Sequence, residues 1–77
     1  MLLNVTNADY VKDFQIRLHF NNGVEKTIDF EPVLKNETFA IFQPLKNLDY
    51  FKNFSIKFNT IAWPNEADFA PEFLIEL

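Results

Sequence analysis

Between Phe14 and Phe30 the chain alternates hydrophobic and polar residues with a period of two. Phe14, Ile16, Leu18 and Phe20 are interleaved with Gln15, Arg17 and His19. After Asn21-Asn22-Gly23 the pattern resumes, with Val24, Ile28 and Phe30 on one face and Glu25, Thr27 and Asp29 on the other. Two half-buried strands joined by a tight turn give this pattern. The faces also fix the register. A two-residue turn at Asn22-Gly23 would set Phe20 opposite Glu25 and mismatch the faces throughout. A three-residue turn pairs Phe20 with Val24, Ile16 with Ile28 and Phe14 with Phe30, and it needs a positive φ at its third residue. The single Gly of the chain stands there, the residue that adopts such a φ without a Cβ clash. Lys26 interrupts the apolar face opposite Leu18. Its stem is expected to pack on that face while the ammonium reaches water.

The other elements are shorter. Leu3 to Tyr10 reads as a first strand ended by the polar turn Val11-Lys12-Asp13, which makes a three-strand antiparallel meander with the hairpin. Glu31-Pro32-Val33-Leu34-Lys35-Asn36 breaks the alternation and leaves the sheet, and Phe39 to Phe42 reads as a short strand or a buried loop. Leu45, Leu48 and Phe51 recur at helical spacing, with Asn47 as an N-cap, so Pro44–Lys52 predicts a short helix. Phe54, Ile56 and Phe58 alternate with Ser55, Lys57 and Asn59, and Ile61 and Trp63 continue the strand after a turn at Asn59-Thr60. Pro71 opens a last short helix that docks through Phe73, Leu74 and Leu77. The expectation is one α+β domain over residues 1–77: an antiparallel sheet of about five strands with two short helices.

Composition narrows what such a domain does. With 77 residues and no Cys, neither a second domain nor a disulfide staple is available. Ten Phe, one Trp and two Tyr supply large area per residue to a small core, and Phe14, Phe20, Phe30, Phe54 and Phe58 fall on strand faces. The stability margin of so small a core is thin, so a bound partner or a second copy forming a homodimer is expected to supplement it. Seven basic residues against eleven acidic ones, a formal net charge of −4, leave no Lys/Arg cluster to neutralise phosphates. Direct nucleic-acid binding is not expected. No apolar run reaches the ~18 residues of a membrane span, and Met1 to Asn7 lack the basic and apolar regions of a secretion signal. Cytoplasmic placement is the expectation.

Candidate chemistry is sparse. His19 is the only His, so a typical zinc site cannot be assembled from one chain and no metal or cofactor is expected. In the register above it faces Glu25 near Arg17 and Asp29. Such a pair serves acid–base chemistry in a cleft and an ordinary cross-strand contact on an open face; the second reading is preferred. Asp68, Glu72 and Glu66 form a possible carboxylate group, with Asp68 better read as a turn or cap residue ahead of Pro71. Ser55 is the only Ser and has no base beside it in its strand pattern. Trp63-Pro64-Asn65 is the remaining motif. Pro64 restricts Trp63 to extended backbone and so fixes where the indole points, either into the core or toward a partner as an aromatic anchor.

Ile61-Ala62-Trp63-Pro64-Asn65-Glu66-Ala67-Asp68-Phe69-Ala70-Pro71-Glu72-Phe73-Leu74 resembles the C-terminal signature of a bacterial family called domain of unknown function 2442. That signature runs roughly Thr, Ile or Leu, any residue, Trp-Pro-Asn-Gly-Ala-Asp, a hydrophobic residue, one or two others, then Pro-Glu or Pro-Asp and Leu. Asn22-Gly23 ahead of a charged strand, Asp29 closing it, and Pro44-Leu45 followed by Phe51 are also similar to that family. Two departures stand out. Glu66 occupies the place of the usual Gly, and the turn before Thr60 is shortened. The resemblance implies a small cytoplasmic protein encoded beside another small protein, in arrangements suspected to be toxin–antitoxin pairs. The expected function is therefore a non-catalytic protein-interaction module, antitoxin-like, with a small protein partner encoded nearby and with Trp63, Pro64, Asn65 and Asp68 as candidate partner-binding residues. An aromatic-lined groove for a small molecule or peptide is the alternative, and an enzyme built on His19, Glu25 and Asp68 is the third reading.

Overall fold

Regular alternation and a correctly placed Gly give the hairpin its observed form. In a computed structural model describing residues 2–77, β2 (Gln15–Phe20) pairs antiparallel with β3 (Glu25–Asp29) with Ile16 opposite Ile28, Leu18 opposite Lys26 and His19 opposite Glu25. Phe20 N–H donates to the Val24 carbonyl at 2.8 Å and Gly23 N–H to the Phe20 carbonyl at 3.1 Å, closing the three-residue turn with Gly23 at φ 88°. Only the first residue of the expected 1–77 domain lies outside the described residues.

The first strand sits later than its composition suggests. β1 spans Val5–Lys12, and its turn is Asp13-Phe14, with Asp13 at φ 47°. A register shift between Tyr10 and Lys12 absorbs Val11, and a second lies between Val5 and Asn7. The three strands form one sheet in the order β1-β2-β3. β4 (Ser55–Lys57) and β5 (Thr60–Ala62) form a second, two-stranded sheet. The domain is α+β, with five strands divided between two sheets. The Val5 N–H donates to the Asn59 carbonyl at 2.9 Å and ties the second sheet to the β1 side of the first.

Several local expectations are corrected. Glu31–Asn36 leaves the sheet as expected, but as a helix, α1, which Pro32 starts. Phe39 to Phe42 is neither strand nor buried loop: a 3-10 segment runs over Ala40–Lys46, and Phe39 is 69% exposed. The helix expected over Pro44–Lys52 is interrupted at Asn47, whose extended backbone (ψ 122°) ends the 3-10 segment. The Asn47 side chain then caps α2 (Leu48–Phe51) by accepting from Tyr50 N–H at 3.2 Å. The β4–β5 turn is Phe58-Asn59, one residue earlier than Asn59-Thr60, which moves Phe58 out of the strand and leaves it 81% exposed instead of in the core. In α3 (Pro71–Ile75) Leu74 is fully buried, whereas Phe73 and Leu77 remain 42% exposed.

The core lies between the inner face of the first sheet and the helical and C-terminal segments. Ile16, Leu18, Phe30, Leu45, Phe51, Ile61 and Leu74 have no exposed surface. Phe30, Phe51, Trp63 and Phe69 form an aromatic cluster with ring centroids 5.7–6.4 Å apart, in edge-on and tilted arrangements that satisfy the ring quadrupoles. The Lys26 stem packs on this face and its ammonium stays partly exposed, but it is also held by main-chain oxygens. Its ammonium donates to the Ile75 carbonyl at 2.7 Å, a group that the end of α3 leaves without an intrahelical partner, and to the main-chain oxygen of Leu77 beyond the helix.

Candidate functional site

The Trp63-Pro64-Asn65 segment is assembled by its own backbone bonds. Trp63 N–H donates to the Ala67 carbonyl and Glu66 N–H to the Trp63 carbonyl, both at 2.9 Å. Asn65 Oδ1 accepts from Ala67 N–H at 3.1 Å. Bond for bond this repeats the turn at Asn21-Asn22-Gly23, where Asn22 Oδ1 accepts from Val24 N–H at 3.1 Å. Glu66, at φ 70°, therefore stands where Gly23 stands in the first turn. The Asn65 Nδ2 donates to the Ile41 carbonyl at 2.8 Å and pins the loop to the 3-10 segment.

This arrangement points the indole inward. Trp63 is 2% exposed and its Nε1–H donates to the Phe51 carbonyl at 2.8 Å. It is a core residue, so it neither anchors a partner from the surface nor lines a groove in this conformation. Asn65 holds the loop, and Pro64 and Asp68 are exposed. The Asp68 backbone bridges to Ala62, but its carboxylate caps nothing: α3 starts from Ala70 with no side chain on its first N–H groups. That corrects the cap expected there.

His19 lies on the outer face of the first sheet, with Nδ1 3.5 Å from Glu25 and Nε2 3.6 Å from Asp9. Arg17 Nε is 3.5 Å from the other Glu25 oxygen. These side chains are one-third to more than one-half exposed, in a cross-strand row on the outer face. The structure does not bring Asp68 into this group. Among the described residues no cluster of three or more His, Asp or Glu is placed to hold a metal ion, and no helix is long and apolar enough to cross a membrane.

Of the aromatic side chains left on the surface, Phe58 at the tip of the β4–β5 hairpin is more exposed than Phe39, and the sequence pattern did not mark this tip as a site. Phe58 and Asn59 both have positive φ, 54° and 67°, the type I′ geometry that matches strand twist. Asn tolerates it, whereas a bulky side chain there is a backbone outlier. Beside Phe58 lies a hollow of about 270 Å³ lined by Lys57, Phe58, Ala62, Glu66 and Asp68. Both departures from the family signature, the short turn and Glu66, thus meet at one place. The shortened turn was the available signal; it implied a two-residue loop in which one bulky residue had to take a left-handed backbone.

A sequence profile, Protein of unknown function (DUF2442), matches residues 5–77. The chain belongs to this family. No curated protein and no solved structure matches it. Membership in the DUF2442 family assigns no activity, so what this chain does must be argued from its own surface.

Proposed function

We propose that this chain is a non-catalytic protein-interaction module, the cytoplasmic, antitoxin-like member of a two-protein pair, that engages its partner through the tip of the β4–β5 hairpin. The observation that carries this reading is Phe58: an aromatic ring 81% exposed on a backbone at φ 54°. Its exposure contributes nothing to the core, and its φ costs about 1–2 kcal/mol relative to a residue free of the Cβ clash. Strain retained without a packing reason supports a binding role. Aromatic side chains are the residue type most often found to dominate interface energetics. Lys57 Nζ lies 5.5 Å from the ring centroid, and Glu66 and Asp68 line the same hollow, so two carboxylates outweigh one ammonium there, which suits an apolar acceptor pocket with basic residues at its rim.

The test is co-expression with the product of the neighbouring gene, followed by size exclusion at micromolar concentration. Co-elution that the Phe58→Asn substitution abolishes supports the reading. Separate elution of the native proteins refutes it.

A further inference from the structure

The open edge of the first sheet carries a second inference, independent of the hairpin tip. The sheet order β1-β2-β3 leaves two edges. The β1 side is joined to the second sheet through Val5 and Asn59. The β3 side is uncovered. Its backbone polarity follows from the register. Phe20 N–H donates to Val24 and Phe30 N–H to Phe14, both at 2.8 Å, which makes Leu18–Lys26 and Ile16–Ile28 the hydrogen-bonded pairs between them. Glu25, Thr27 and Asp29 therefore direct their N–H and C=O groups away from β2. Among the described residues none of these six groups has a backbone partner, and all three residues are exposed.

Natural edge strands are blunted by Pro, bulges, very short length, charged side chains or inward-pointing charges; the inward-facing Lys26 of β3 is one such charge, though its ammonium is engaged by Ile75 and Leu77. β3 has no Pro, and it runs in unbroken register with β2 over Glu25–Asp29. Two carboxylates four residues apart are its distinguishing feature. Glu25 is half committed to Arg17 and His19 at 3.5 Å, in exposed contacts that hold it weakly. Asp29 accepts from Glu31 N–H at 3.0 Å and remains charged and exposed. Glu31 itself faces Lys35 at 3.7 Å.

These charges select the occupant. In the antiparallel register that pairs the whole strand, a second copy would set Glu25 opposite Asp29 of that copy at both ends, like charge against like. A strand with Lys or Arg at those two positions would instead meet two opposite charges. We propose that β3 is a strand-addition site for an extended basic segment of another protein, with two basic residues four apart facing Glu25 and Asp29 and the backbone pairing at Glu25, Thr27 and Asp29.

The probe is a blocked synthetic peptide, Val-Lys-Val-Thr-Val-Lys-Val, titrated into the native protein and followed by NMR amide shifts and hydrogen exchange. Slowed exchange at the Glu25, Thr27 and Asp29 amides, with Lys26 and Ile28 unchanged because they are already paired, is the expected result. The peptide with Glu in place of both Lys should bind about tenfold more weakly, since two cross-strand charge pairs reverse sign. Thr27→Pro removes an outward N–H without touching the β2–β3 ladder and should abolish binding; Glu25→Gln weakens it and serves if the Pro variant does not fold. Phe58→Asn should leave peptide binding unchanged, which separates this site from the hairpin tip. Equal binding of the Lys and Glu peptides, or slowed exchange elsewhere than at the three outward amides, overturns the proposal.

Discussion

Replacing Lys26 by Met keeps an unbranched apolar stem on the inner face of β3 and removes only the ammonium. In the native chain that ammonium reaches across the fold to the Ile75 carbonyl at 2.7 Å and to the Leu77 carbonyl. The Ile75 carbonyl lies at the end of α3, and a cation there also complements its partial negative charge. A hydrogen bond to a charged group contributes about 1.5–3 kcal/mol net. The contact to Leu77 is exposed, so its carbonyl regains water when the ammonium goes, whereas the contact to Ile75 is partly buried. One such bond is therefore lost in effect, and the expected loss is about 1.5–2 kcal/mol. For a domain of this length that corresponds to a Tm lower by on the order of 10 °C. Calorimetry gives the global value. Hydrogen exchange at the Leu74 amide, which donates to Ala70 at 3.1 Å, reports whether α3 loosens locally. A Met variant as stable as the native chain, with unchanged exchange in α3, would refute the reasoning and place the ammonium in water.

Glu66→Gly should raise Tm by a few degrees. Relief of the left-handed backbone at φ 70° gains about 1 kcal/mol, partly offset by the greater freedom of Gly in the unfolded chain; a less stable variant would contradict the equivalence of Glu66 and Gly23. Trp63→Phe should lower stability by about 2–4 kcal/mol in urea unfolding, because it deletes buried volume and leaves the Phe51 carbonyl without its indole donor. A loss below about 1 kcal/mol would show that the indole is dispensable to the core.

The parts of this fold that were legible in the sequence are those where two local signals agree. At the first hairpin the alternation and the lone Gly specify the same register, and Ile16 faces Ile28 accordingly. At Asn47 the capping side chain prevails over the helical spacing that runs through it: the cap forms, and Leu45 falls in the preceding 3-10 segment. Where one signal stood alone, tertiary contacts decided. The alternation of Phe54, Ile56 and Phe58 was blind to the turn, because Phe-Asn at a type I′ position resembles the end of a strand more than a turn. The second three-residue turn was hidden by Glu66, although Asn65-Glu66-Ala67 repeats the bonding of Asn22-Gly23-Val24. Lys26 keeps the solvent exposure that local pattern implies, but its main-chain partners, 49 and 51 residues away, are invisible to that pattern. The candidate site shifted for the same reason. Trp63 is the residue type expected at an interface, yet Pro64 and the loop bonds turn it into the core, and the most exposed aromatic among the described residues is Phe58, on a turn that the pattern concealed.

The central claim is that Phe58 serves binding and not folding, and one paired measurement on the native chain and its Phe58→Asn variant tests it. The Asn side chain tolerates the backbone at φ 54° and gives up little buried area, so thermal unfolding of the variant should be unchanged or up to a few degrees higher. Co-expressed with the product of the neighbouring gene, the native chain should co-sediment with it, and the variant should sediment alone. A variant that unfolds at markedly lower temperature, or one that keeps the complex intact, would contradict the account.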